Sequence, residues 1–159
     1  IVKKYTNSPI WITGIGQKTT SAGFTKNTSL SSMESTKIAG ESALKMANHN
    51  ISEIDVAEVH DAFSVCEPMV LESLGFTNPG EGMSMIKKLN ETNNFMINPR
   101  GGLIGTGHPL GATGISQTIE IVQQLQKTAE NRQTNNPKTG LVHNMSAAAT
   151  SSTVLVLEK

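Results

Sequence analysis

The chain has 159 residues, enough for one domain that buries about 68–70% of the surface its unfolded form exposes, and thirteen basic residues balance thirteen acidic ones. With Lys3-Lys4 and Lys87-Lys88 as the only dense cationic pairs, no footprint for nucleic acid is present. Cys66 stands alone, which excludes an intrachain disulfide and a paired-cysteine metal or redox site, and no apolar run approaches the ~18 residues of a membrane span; a protein of the reducing cytoplasm is expected.

Ile10-Trp11-Ile12-Thr13-Gly14-Ile15-Gly16, β-branched and aromatic and closed by glycines, has the pattern of a buried strand. Ser31-x-x-Glu34 has capping-box spacing and predicts a helix through Ile38, Ala39, Ala43 and Met46 to about Asn48. Val56 to Val59 reads as a second strand that hands over at His60-Asp61-Ala62-Phe63 to a helix carrying Val65, Met69, Val70 and Leu74. Pro68 is tolerated near that helix's first turn, and Gly75 ends it. Residues 77–96, rich in glycine and asparagine, predict a long loop with one helical turn at Met83 to Lys88. A glycine-rich stretch, Gly101 to Gly114, then precedes an amphipathic helix with Ile115, Ile119, Val122 and Gln126 on one face. After a turn at Asn135 to Gly140, Leu141 to Asn144 and Thr153 to Leu157 read as two strands. The alternation argues an α/β layered domain with a mixed sheet.

The chemistry in these residues centres on histidine. His108 stands just ahead of a helix N-terminus, where unpaired amides create a positive partial charge that favours an uncharged imidazole. A neutral imidazole can take a proton from a thiol or donate a hydrogen bond to a forming oxyanion, the two tasks of acyl transfer. His60 and His143 fall at strand ends, the edge of an α/β sheet that faces ligands, although each taken alone also fits a hydrogen-bonded structural role. His49, at a helix terminus, fits a cap charge. Cys66 lies in an apolar helical stretch and reads as a small buried hydrophobe rather than a nucleophile. No metal-ligand spacing or serine-hydrolase element is present. The glycines before His108 suit either a tight turn or a close backbone approach to a ligand.

Three segments together, His60-Asp61-Ala62-Phe63, Gly107-His108-Pro109-Leu110-Gly111-Ala112-Thr113-Gly114 and His143-Asn144, resemble the thiolases, specifically the sterol-carrier-protein type and related archaeal acetyl-CoA acetyltransferases. The likeness covers Ile10 to Leu157. It implies a thiolase-like half-domain: an α/β fold in βαβαβαββ order, with a mixed five-stranded sheet and helices on both faces. Residues 1–159 would form the C-terminal domain, and the nucleophilic cysteine would belong to an N-terminal half outside them, so this chain alone is expected to be inactive. The resemblance further implies that His108 activates that cysteine, that His60 helps hold a water in an oxyanion hole, and that Phe63, Pro109 and Leu110 lie against the substrate. Gly107, Asn144 and Ser146 would shape the oxyanion loops. Acyl-CoA and CoA are the implied substrates, without a prosthetic group or metal, and the missing half or a second subunit of a homo-oligomer is the implied partner.

Two departures from the family pattern stand out. Sterol-carrier-type thiolases often have cysteine where this chain has Ala62, and the last motif also lacks a cysteine, so no second thiol remains for acid/base work; His143 is a candidate replacement. Where the family has glycines after the His143-Asn144 position, this chain has Met145-Ser146-Ala147-Ala148-Ala149, whose side chains are expected to narrow the site or alter its backbone angles. Two other readings follow: a catalytically degenerate scaffold or acyl-CoA-binding module, and ketoacyl-synthase-like decarboxylative condensation by paired histidines.

Overall fold

In a computed structural model, residues 4–21, 31–89, 91 and 96–159 are described. Lys3, and residues 90 and 92–95 of the expected long loop, lie outside them. Five strands form one mixed sheet in the order β1-β5-β4-β2-β3. These are β1 (Trp11–Thr19), β2 (Val56–Glu58), β3 (Met96–Ile97), β4 (Thr139–Met145) and β5 (Ser151–Glu158). Strands β3, β2 and β4 run parallel, while β5 is antiparallel to both of its neighbours, β4 and β1. The implied βαβαβαββ order is the one observed, with two short α-helices and three 3₁₀ turns added among the described residues.

Strand β1 is the sheet's edge and is not buried as its composition suggested. Trp11, Ile12 and Ile15 are exposed, whereas the glycines face inward. The reason is the helix packed on them: a Cβ at Gly16 would come 1.9 Å from the Ala39 carbonyl oxygen, and one at Gly14 would come 2.2 Å from that of Ala43. Helix α1 (Glu34–Ala47) therefore lies directly on strand backbone. Its expected capping box is absent: Met33 occupies the N-cap position without a side-chain cap, and its amide donates instead to Ser73 Oγ at 3.0 Å. Asn48, left-handed with φ 57°, ends the helix as predicted. A capping box does form a few residues on, between Asn50 and Glu53.

Helix α2 (Cys66–Leu74) ends at Gly75, whose φ of 88° requires the missing side chain. With α1 it covers one face of the sheet, burying Ala39, Ala43, Val70 and Leu71 against Ala57, Val59, Leu141, Val154 and Val156. Helix α3 (Gly82–Leu89) enlarges the single turn expected there. Within the glycine-rich stretch, whose composition predicts a loop, lies a five-residue helix, α4 (Gly102–Thr106).

Helix α5 (Thr113–Gln126) covers the other face, packing Ile121 and Leu125 on Val56, Val142 and Leu157. Its orientation reverses the amphipathic expectation. Ile115 and Ile119 are 65% and 52% exposed, while Gln117, Glu120 and Gln124 are buried. The buried polar groups are paired, as their burial demands. Gln117 Nε2 donates to the His143 carbonyl at 3.3 Å, Gln124 Nε2 donates to Glu120 Oε1 at 3.0 Å, and Glu120 pairs with Arg132 at 3.0 Å. The apolar stripe is thus turned outward. With Leu110, Val142 and Leu155 it lines an open groove of about 590 Å³.

Candidate active site

Strand β2 delivers Val59, His60 and Asp61 to the sheet's carboxyl edge, and three contacts fasten the glycine-rich segment beside them. The Asn98 amide donates to the Ala57 carbonyl and its side-chain oxygen accepts from the Val59 amide, both at 2.8 Å. The Leu103 amide, in the first turn of α4, donates to Asp61 Oδ1 at 2.6 Å. Gly102, with φ 63°, presses on the same carboxylate so closely that a Cβ would meet Oδ2 at 2.0 Å. Gly107 (φ 87°) closes α4, its amide donating to the Leu103 carbonyl at 2.9 Å, and turns the chain into His108.

The result is two imidazoles in edge-to-face contact. The His60 and His108 ring centroids are 4.8 Å apart, with the planes at 90°. His108 Nδ1 lies 2.7 Å from Thr113 Oγ1, and the Thr113 hydroxyl donates its one proton to the Pro109 carbonyl at 3.1 Å. Thr113 must therefore accept from Nδ1–H, which places the His108 lone pair on Nε2. Among the described residues none engages that nitrogen. His60 is buried, and among the described residues its Nδ1 has no partner. Burial, and then the nearby His108, push its pKa down to about 4 against the opposing pull of Asp61, so it is neutral at pH 7.

His143, one strand over on β4, is fully buried. Its Nδ1 faces the His60 amide at a long 3.5 Å, and its Nε2 lies 3.1 Å from Thr36 Oγ1. Burial, and then His60, push its pKa down to about 3. Asn144 donates to Gln117 Oε1 at 2.8 Å, which ties the strand end to α5. Ser146 is exposed and closes the following turn: its amide donates to the Ser151 carbonyl at 2.8 Å, and its Oγ accepts from the Ser151 amide at 2.9 Å. Ala148 (φ 55°) and Ala149 (φ 51°) adopt left-handed angles. Left-handed angles at two alanines cost about 1–2 kcal/mol per residue. Phe63 (71% exposed) and Leu110 (83% exposed) present apolar surface within three residues of His60 and His108, and Pro109 is exposed between Leu110 and His108.

Thr113 stands inside the His108 motif without a role of its own there, and Thr36 and Gln117, which carry no motif, escaped the sequence reading. So did Glu58, fully buried two residues before His60, whose carboxyl is pushed up to about 7 by burial against the pull of Arg100. Cys66 is buried on α2, and burial raises its thiol pKa. Among the described residues no group of histidines, cysteines and carboxylates suits a metal ion, and no helix is long and apolar enough to cross a membrane.

These groups dictate how stability should respond to acid. Between about pH 6.5 and 4 the unfolded chain protonates His60 and His143 while the folded rings refuse the proton, so each imidazole favours unfolding as pH falls. Glu58 acts oppositely between about 4.5 and 7, since its folded carboxyl keeps a proton that the unfolded one releases. The two imidazoles outweigh Glu58 and Glu67, the second of which burial also raises. Denaturant midpoints are expected to fall from pH 6.5 to 4, less steeply in His60→Asn; a flat profile would show that the rings are not held neutral.

A mixed sheet of this topology, with paired histidines at the edge built by β2 and the segment before α5, defines a thiolase-like half-domain. Residues 16–159 match the family model described as thiolase C-terminal domain-like, and the chain belongs to that family. It is 32% identical over 161 residues to the acetyl-CoA acetyltransferase of Methanothermobacter thermautotrophicus, an alignment covering all of this chain and 42% of the relative. Over 112 residues it is 40% identical to sterol carrier protein 2 of Gallus gallus, covering 69% of this chain and 20% of that protein. The chain thus spans less than half the length of these relatives. A solved structure titled Ltp2-ChsH2(DUF35) aldolase shares the fold, with a TM-score of 0.82 and 21% identity, over 96% of this chain and 40% of that one.

Proposed function

We propose that this chain is the C-terminal domain of a thiolase-type acyl-CoA acyltransferase, carrying out reversible Claisen condensation and cleavage of 3-ketoacyl-CoA with a cysteine supplied by an N-terminal half. The observation that carries this reading is the unengaged Nε2 of His108, fixed as acceptor by Thr113 and set edge-on to His60. The outward stripe of Ile115 and Ile119 supports it, because so much apolar surface on one helix is suited to cover by a second half.

As the sulfur attacks the thioester carbonyl, its proton passes to His108 Nε2. The carbon–sulfur bond to CoA breaks, and the departing thiolate takes that proton. An imidazole of the His60–His108 pair then removes a proton from the α-carbon of a second acyl-CoA. The carbanion attacks the acyl-enzyme, the new carbon–carbon bond forms, and the cysteine sulfur leaves and takes back the proton held on the imidazole, which restores the starting thiol. Covalent capture splits one difficult step into two easier ones. The neutral His60 offers a single N–H to the oxyanion or to a water that holds it. CoA thioesters are substrates rather than a bound cofactor, and the protein acts as a cytoplasmic homo-oligomer.

Ala62 and the strained Ala148-Ala149 turn favour a second reading, a degenerate scaffold that binds acyl-CoA without turning it over. Assaying the complete gene product with acetoacetyl-CoA and CoA separates the two: acetyl-CoA formation is expected. Carbon dioxide released from malonyl-CoA would point to decarboxylative condensation instead, and binding without turnover to the scaffold.

A further inference from the structure

His143 lies at one end of a buried chain of hydroxyls whose proton order can be assigned. Its Nδ1 faces an amide N–H, that of His60, and so accepts. The ring is fully buried, which disfavours its charged form; it is therefore neutral, with its one proton on Nε2. Nε2–H donates to Thr36 Oγ1 at 3.1 Å, and the Thr36 hydroxyl donates to Ser152 Oγ at 3.0 Å. Ser152 donates to Ser35 Oγ at 2.8 Å, and Ser35 donates to the carbonyl of Ala149 at 2.6 Å. Every proton in the sequence is used once, and Thr36, Ser35 and Ser152 are buried. The last link holds the carbonyl of a left-handed alanine, which offsets the strain of the turn at 147–149.

We infer that His143 is a positioning residue, held as the Nε2–H tautomer, which couples the strained turn 147–149 to the backbone of His60 through Thr36, Ser152 and Ser35. This rests on the proposed thioester chemistry only in assigning that coupling a catalytic use. The ring has no path to a substrate proton, since both nitrogens are occupied and none of its surface is exposed. It acts through His60. The missing second thiol is thus not replaced by this imidazole.

The test uses the complete gene product labelled with ¹⁵N in histidine, the His143 resonances being assigned by their loss in His143→Asn. At pH 7 a protonated Nε2 and an unprotonated Nδ1 are expected, unchanged from pH 5 to 8. Thr36→Val, which keeps the shape of the residue and removes the hydroxyl, is expected to shift the Nε2 resonance and lower kcat/KM about tenfold. His143→Asn keeps an acceptor within reach of the His60 amide. Its kcat/KM is expected to fall at least tenfold less than that of His143→Leu, and its pH–rate profile to keep both limbs at their original positions. A protonated Nδ1, an imidazole titrating between pH 5 and 8, or loss of one limb of the profile in both His143 variants would overturn the inference. The tautomer is read without turnover. An inactive protein with a protonated Nε2 would therefore remove the proposed reaction and leave His143 as assigned, whereas an active one with a titrating His143 would do the reverse.

Discussion

Replacement of His108 by alanine is expected to lower kcat/KM for acetoacetyl-CoA cleavage by the complete gene product about 10²–10⁴-fold, the range contributed by a positioned general acid or base. Stability should change little, because the ring is only half-buried and the buried Thr113 hydroxyl keeps its bond to the Pro109 carbonyl. The size of the effect follows from geometry. The Thr113 hydroxyl donates to the Pro109 carbonyl, so Nδ1–H has a fixed acceptor and the basic lone pair is pinned on Nε2. Thr113→Val removes that acceptor and frees the other tautomer, and a loss of about tenfold in kcat with little change in KM is expected from steady-state kinetics. A decrease below threefold in His108→Ala would remove the residue from the chemistry.

Gly102→Ala is expected to destabilise the domain by about 2.5–5 kcal/mol. About 1–2 kcal/mol comes from placing a β-carbon at φ 63°. The remainder comes from the Asp61 carboxylate, which must yield to a methyl group 2.0 Å from Oδ2 and so gives up its charge-assisted bond to the Leu103 amide, worth about 1.5–3 kcal/mol. Because this latch holds the segment leading to His108 against the strand carrying His60, activity should fall with stability. Denaturant unfolding measures the first quantity and turnover the second. Adding Asp61→Ala to Gly102→Ala relieves the collision, and the double variant should be more stable than the sum of the two single changes predicts. Strict additivity would mean that the two residues are not in contact.

Local signals carried the elements that depend on local rules. Gly75 and Asn48 end helices because left-handed termination is written into residue type, and the hand-over from β2 to His60 follows from an apolar run that stops at a polar one. Periodicity also placed α5 correctly along the chain but not in orientation. It reports which side chains share a face, not what that face meets, and here Gln117, Glu120 and Gln124 are buried beside Ile121 and Leu125 while Ile115 and Ile119 look outward. The reading of β1 as buried failed for a related reason. Its β-branched residues suit a strand, yet the sites that a helix can approach are its glycines.

The histidine pair was legible as a motif, whereas its supports were not. Helix α4 begins at two glycines, which propensity disfavours, and it is fastened by Asp61 from 42 positions away. Thr36 reaches His143 across 107 positions, and no short-range pattern announces a partner at that separation. The left-handed angles at Ala148 and Ala149 were equally hidden, since alanine ordinarily argues for a regular backbone.

The assignment of His108 to a sulfur outside these residues is tested most directly by trapping the acyl-enzyme. The complete gene product is quenched in acid during turnover of acetoacetyl-CoA without added CoA, digested, and mapped by mass spectrometry. An acetyl group is expected on one cysteine beyond residues 1–159, with Cys66 unmodified and the adduct lost in His108→Ala. Acetylation of Cys66, or carbon–carbon cleavage that leaves every cysteine free, would contradict it.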